Sequence, residues 1–199
     1  MSLYSLCVAL FFALVPQAWA QPAQPLMLDT LAVTSVVPLP PWVREGMIEA
    51  QSEIVREQGR APNGQDFFRW FSVPAGESFS DWSQHYMVRA ERPLSGNLRL
   101  YANGEINRSL RDCDEGAVQF ADTMPGNTLL FVVFCSESRT RPGTGRVAFF
   151  NLTQANDVLV QKVLQVRVRN FSLADGITPQ TDARLRDGLR FIAQLDVVY

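Results

Sequence analysis

His85 is the only histidine in the chain, so a Ser-His-Asp or Cys-His arrangement, or a zinc site needing several imidazoles, would depend on that one ring. It lies in HYMVRAE at 85–91, beside Trp82 and Tyr86, a β-favouring setting in which a hydrogen-bonded structural histidine is the expectation. No G-x-x-x-x-G-K-[ST], G-x-G-x-x-G, G-x-S-x-G or C-x-x-C occurs, which removes the common signals for phosphate cradling, dinucleotide binding, an activated serine and dithiol chemistry. Asp112, Asp114 and Glu115 lack the alternating oxygen spacing and central glycine of a calcium loop, so they read as a solvated helix end. No metal and no cofactor is expected. The 20 acidic residues leave open a pair of carboxylates working as acid and base, because such pairs are spatial rather than sequential.

The remaining candidates are contact residues. Interfaces favour Trp, Tyr and Arg, which singles out the aromatic Phe68, Trp70 and Trp82 together with Arg139 and Arg141. These two arginines, with Arg146, flank Pro142 and Gly143 in and just after the turn-rich SRTRPGTG, where they could meet anionic groups on a partner or serve as a solubilising loop. The basic residues are 18 in number, and all but Lys162 are arginine. Arg and Lys are nearly equivalent on solvated surfaces, so the skew points to a GC-rich genome, with bidentate contacts as the special case. A formal charge of −2 implies no polyanion, and no nucleic-acid partner is expected.

These candidates belong to an exported chain. Residues 5–15, SLCVALFFALV, form an apolar run that Pro16 breaks, and Ala18-Trp19-Ala20 places small residues where a signal peptidase reads. Cleavage after Ala20 leaves Gln21 first, although residues 1–20 carry no Lys or Arg. The run is far short of the roughly 20 residues that span a bilayer, and no later segment approaches that length, so a soluble mature chain is expected in the periplasm or secreted medium. Cys7 sits too early, and behind the wrong residues, for lipidation. The mature chain then holds Cys113 and Cys135. In an oxidising compartment this pair either bridges or remains as two buried thiols, and the bridge is the expectation.

With 47% hydrophobic and 19% charged residues the composition is that of a globular protein. Residues 21–41 read as a Pro-rich leader with one strand in LAVTSVV at 31–37, and residues 42–199 as a single domain. Val43, Met47, Ala50 and Ile54 recur at helical spacing, predicting an amphipathic helix that Gly59 stops. QDFFRWFSV at 65–73 and HYMVRAE at 85–91 read as strands, and Ser95 opens a helix whose stripe is Leu98, Tyr101, Ala102, Ile106, Leu110 and Cys113. Further strands are expected at 116–122, 127–135, 145–152 and 157–169, with a last helix at 182–193. The fold class is therefore α+β, an antiparallel β-sheet of about five to six strands flanked by helices.

The segment PAGESFSDWSQHYMV at 74–88 resembles the P-x-G-E, then W-T/S-x-x-x-x-V stretch of small exported bacterial proteins with a Mog1/PsbP-like fold. The matching positions are Pro74, Gly76, Glu77 and Trp82. The resemblance implies an antiparallel sheet flanked by helices, with a cysteine pair between a helix end and a strand, the places of Cys113 and Cys135. It implies a fold and a compartment rather than a reaction. The functional expectation is a non-enzymatic cell-envelope protein that binds a protein partner or small ligand. The alternatives are a secreted hydrolase using paired carboxylates or His85, and a subunit of an envelope secretion or conjugation assembly. The sequons at Asn107, Asn151 and Asn170 would be inert in a bacterial periplasm.

Overall fold

The computed structural model describes residues 26–31, 33–44, 47–94, 96–120, 127–173, 188 and 191. The expected signal segment at 1–20 and, apart from Gly188 and Phe191, the expected helix at 182–193 lie outside the described residues. In chain order the elements are β1 (Leu26–Thr30), β2 (Val33–Val37), α1 (Ile48–Gln51), β3 (Ser52–Arg60), β4 (Asp66–Pro74), β5 (Gln84–Arg92), α2 (Leu98–Leu110), β6 (Gly116–Phe120), β7 (Thr128–Cys135), β8 (Thr144–Ala155) and β9 (Val158–Arg169). β1 and β2 form a hairpin of their own, one strand more than the sequence reading of 31–37. The other strands make one seven-stranded antiparallel sheet in the order β3-β4-β5-β9-β8-β7-β6.

The α+β class holds, and the strand beyond the expected five to six is β3. Its residues were expected in a helix running from Val43, but the helix is confined to Ile48–Gln51 and the chain then extends. Ile54 and Val55 are β-branched and adjacent, and the whole of β3 pairs with β4, from Ser52 opposite Pro74 to Arg60 opposite Asp66. An edge strand exposed along most of its length keeps charged residues on both faces, which is why its composition resembles that of a solvated helix.

Period-two alternation divides the sheet into two faces. On one, α2 lies over β7 and β8, burying Ala102 and packing Leu98, Tyr101, Ile106 and Leu110 on Phe131, Val133, Phe150 and Val163. Asn97 caps α2, its side chain accepting from the Leu100 N–H. The helix continues through Gly104. On the far face Trp70, Tyr86, Val88, Phe149, Leu164 and Val166 form a core closed by Val37, Trp42, Ile48 and Phe191. Tyr86 meets Trp70 and Phe191 edge-on, at 5.5 and 4.7 Å between centroids. Lys162, the single lysine, is 1% exposed on this face. Trp70 Nε1, Ser72 Oγ and Tyr86 OH are buried with no hydrogen-bond partner among the described residues.

Cys113, just past α2, is bonded to Cys135 at the end of β7, with 5.4 Å between the Cα atoms. The bridge fixes the end of the helix to the sheet.

Candidate functional site

Because α2 covers β7 and β8, the β3–β5 half of the same face has no helix over it among the described residues. The register places side chains across this open half in rows. One row is apolar, Val55 opposite Phe71, Met87, Val163 and Phe150; the next is charged, Glu57 opposite Arg69, Arg89 and Gln161. Where the open half meets α2 there is a cleft of about 470 Å³, within the size range of ligand sites. Phe71, Met87 and Phe150 form its floor, and its walls carry Arg69, Arg89, Arg108 and Arg146 against the single acid Glu105.

The walls are only partly neutralised. Arg89 reaches Glu91 and, at 3.5 Å, Glu105; Arg108 reaches Glu105 at 2.9 Å; Arg69 stands 3.7 Å from Glu57. Burial of the Arg89 guanidinium works against its charge, and the neighbouring Tyr101, Glu91 and Glu105 more than offset it. Even so, the buried Arg89 Nε has no acceptor. Arg146 makes no ion pair among the described residues; it donates Nη2 to the Ser109 carbonyl at 2.6 Å. Burial pulls its pKa below the ordinary guanidinium value, with Arg167 acting in the same direction and Asp112 opposing. Arg69 faces Arg89, and Arg146 faces Arg167, directly across neighbouring strands, an arrangement of like charges that destabilises a sheet.

Beside the cleft the β4–β5 connection folds over the same face. Gly76 takes φ +82°, a turn conformation that favours glycine, and Glu77 then accepts from the backbone N–H and the hydroxyl of Ser83, both at 2.6 Å. This turn seats Trp82 against His85 (5.5 Å), which also meets Phe71 and Phe79 (5.9 and 6.2 Å). Burial in this nest holds the imidazole near pKa 4, so it is neutral at ordinary pH, and it hydrogen-bonds no Ser, Thr or Cys among the described residues. Arg167 lies over the Trp82 ring at 4.4 Å. Asp81 Oδ1 accepts from both Arg141 (2.8 Å) and Arg167 (2.9 Å), and the Arg141 hydrogen bond is the larger cause that lowers the Asp81 pKa.

The contact residues expected from the sequence fall in three places. Trp82 and Arg141 meet through Asp81 and Arg167 at the mouth of a second cavity of about 230 Å³, which Arg146 also lines. Arg139 is nearby but turned to Asp114, at 3.1 Å. Phe68 and Trp70 point to the far face, Trp70 with no exposed surface. Asp112 accepts from Ser138 and Thr140, which together with burial set its pKa, lowered overall. Among the described residues no group of three or more His, Cys, Asp or Glu could hold a metal, and no helix is long and apolar enough to cross a membrane. Arg146 is one of the three arginines around Pro142 and Gly143, whereas Arg69, Arg89, Arg108 and Arg167 did not stand out in the sequence. Their signal was the shared phase of Phe67, Arg69 and Phe71, and of Gln161, Gln165 and Arg167, which becomes a common face once β4, β5 and β9 are neighbours.

No protein-family model matches the chain, and no curated protein matches it. Among solved structures it is similar to the Ran-binding protein Mog1p of Saccharomyces cerevisiae, with 9% identity and TM-score 0.45 over 72% of this chain and 93% of that one. It is also similar to a point mutant of protein Mog1, with 10% identity and TM-score 0.47 over 72% of this chain and 96% of that one. Both carry the Mog1 name to which the resemblance at residues 74–88 points.

Proposed function

We propose that this protein is a non-enzymatic cell-envelope protein, exported by residues 1–20, that binds a protein partner through the arginine-lined cleft beside α2. The observation that carries this reading is the pairing of an apolar floor, Phe71, Met87 and Phe150, with incompletely neutralised guanidinium walls on an open sheet face. Aromatic, Met and Arg side chains are the types enriched where proteins meet. A shallow cleft of this composition suits an acidic segment with apolar neighbours: carboxylates on the arginines and apolar groups on the floor. The only histidine is neutral, enclosed by aromatic rings and hydrogen-bonded to no Ser, Thr or Cys among the described residues, which favours binding over hydrolysis.

Crosslinking in intact envelopes, followed by identification of the attached chain, tests the reading. Arg69→Glu and Arg108→Glu reverse cleft charges at exposed or half-exposed positions and should abolish the crosslinked species, whereas Arg56→Glu on the far face should leave it. Equal crosslinking by all three variants refutes the cleft. The same purified material should begin at Gln21; an intact amino terminus refutes the export route.

A further inference from the structure

The second cavity has a chemistry of its own, and it shares only Arg146 with the partner-binding cleft. Three guanidinium groups reach it from three separate elements: Arg141 from the loop after β7, Arg146 from β8 and Arg167 from β9. Arg146 and Arg167 stand directly opposite each other across the β8–β9 ladder. The two carboxylates nearby, Asp81 and Asp112, leave one of the three guanidinium charges over. One oxygen of Asp81 serves both Arg141 and Arg167. Asp112 lines the cavity, but Ser138 Oγ, Thr140 Oγ1 and the Thr140 N–H occupy its oxygens. Among the described residues Arg146 has one hydrogen-bond acceptor, the Ser109 carbonyl, for five N–H groups. We propose that Arg141, Arg146 and Arg167 form a binding site for a phosphoryl group.

Donors converging from three directions match a tetrahedral anion with several acceptor oxygens, whereas a planar carboxylate satisfies one guanidinium fork. The cavity volume of about 230 Å³ suits a compact headgroup or free anion rather than a nucleotide. Asp81 holds Arg141 and Arg167 in place before the ligand arrives, so little side-chain ordering is left for binding.

Calorimetric titration of the purified chain at low ionic strength, with inorganic phosphate and with glutarate as the planar control, tests the site. Phosphate should bind saturably, and glutarate about tenfold more weakly or not at all. Arg146→Gln, and separately Arg141→Ala at an exposed position that does not threaten the fold, should each weaken phosphate binding about tenfold or more. A second arm sediments the protein with phosphatidylglycerol vesicles. Co-sedimentation lost in the same variants assigns the phosphoryl group to a lipid headgroup, and phosphate binding without co-sedimentation assigns it to a free anion or small ester. No saturable phosphate binding, binding that both variants leave unchanged, or glutarate binding as well as phosphate overturns the site. Such a result would leave the crosslinking outcome at Arg69 and Arg108 untouched.

Discussion

Opening the Cys113–Cys135 bond perturbs the fold at one defined point and has a calculable cost. The sequence separation is 22 residues, and in the chain-entropy model a closed loop of about 23 residues restricts the unfolded ensemble by about 3 kcal/mol. Both sulfurs belong to well-buried residues, 4% and 2% exposed, so reduction in the native state changes little solvation and the loss falls on the unfolded side. For a chain of this size about 3 kcal/mol corresponds to a fall in Tm of roughly 6–12 °C. The assay is urea unfolding of the oxidised protein and of the same protein kept reduced, with Cys113→Ala/Cys135→Ala as a third sample. The first two share every side chain, so their difference isolates the bond, and the third adds the lost sulfur packing. The reduced protein should also show a larger m, because an uncrosslinked chain exposes more surface on unfolding. A difference below about 1 kcal/mol would refute the reasoning, and so would a reduced protein that loses near-UV dichroism before urea is added.

Other outcomes follow from single residues. Burial lowers the His85 pKa from 6.5 to about 4, so the unfolded chain binds the proton more tightly and stability falls as pH drops through that window, by at most about 3 kcal/mol. Urea unfolding at pH 4 and pH 7 should show His85→Phe losing about that much less than the parent, and identical losses would contradict the buried neutral ring. Ser72→Ala removes a buried hydroxyl that has no partner and should leave stability unchanged or raise it by about 1 kcal/mol; a loss above about 1 kcal/mol would show that the hydroxyl is satisfied. Gly104→Ala adds a Cβ into open space within α2 and should stabilise by about 1 kcal/mol. Gly145→Ala should instead destabilise by about 2 kcal/mol or more, because the new Cβ would lie 2.7 Å from the Ser136 carbonyl and 2.8 Å from the Phe171 ring. Thermal melts order these two, and the reverse order would contradict the packing at β8.

The interior strands were legible because burial writes itself into sequence. Residues 129–135 are continuously apolar, and Val158, Val160, Leu164 and Val166 keep one phase through β9. β3 was not, since an edge strand has no buried face to impose a period, and Val43, Met47, Ala50 and Ile54 satisfied helical spacing by coincidence. Trp70 and Phe68 look like contact residues by type, and only the side of β4 on which they fall buries Trp70 in the core and packs the half-buried Phe68 against it. The cleft draws two residues each from β4, β5 and β8, three from α2 and one from β9. No local pattern joins Arg69 to Arg146, because their proximity follows from strand order, which local residue preferences do not contain.

The strand order also fixes when the fold can close. β3, β4 and β5 form one consecutive meander, β6 to β9 a second, and the only ladder between them is β5 with β9. Every pair in that seam joins residues of 84–91 to residues of 159–166. A chain synthesised amino-terminus first therefore has β5 unpartnered on one side, and Tyr86 and Val88 wait for Leu164 and Lys162, which follow only much later in the chain. Until β9 arrives the molecule is two half-sheets on a string, a state that a protease or holdase can recognise.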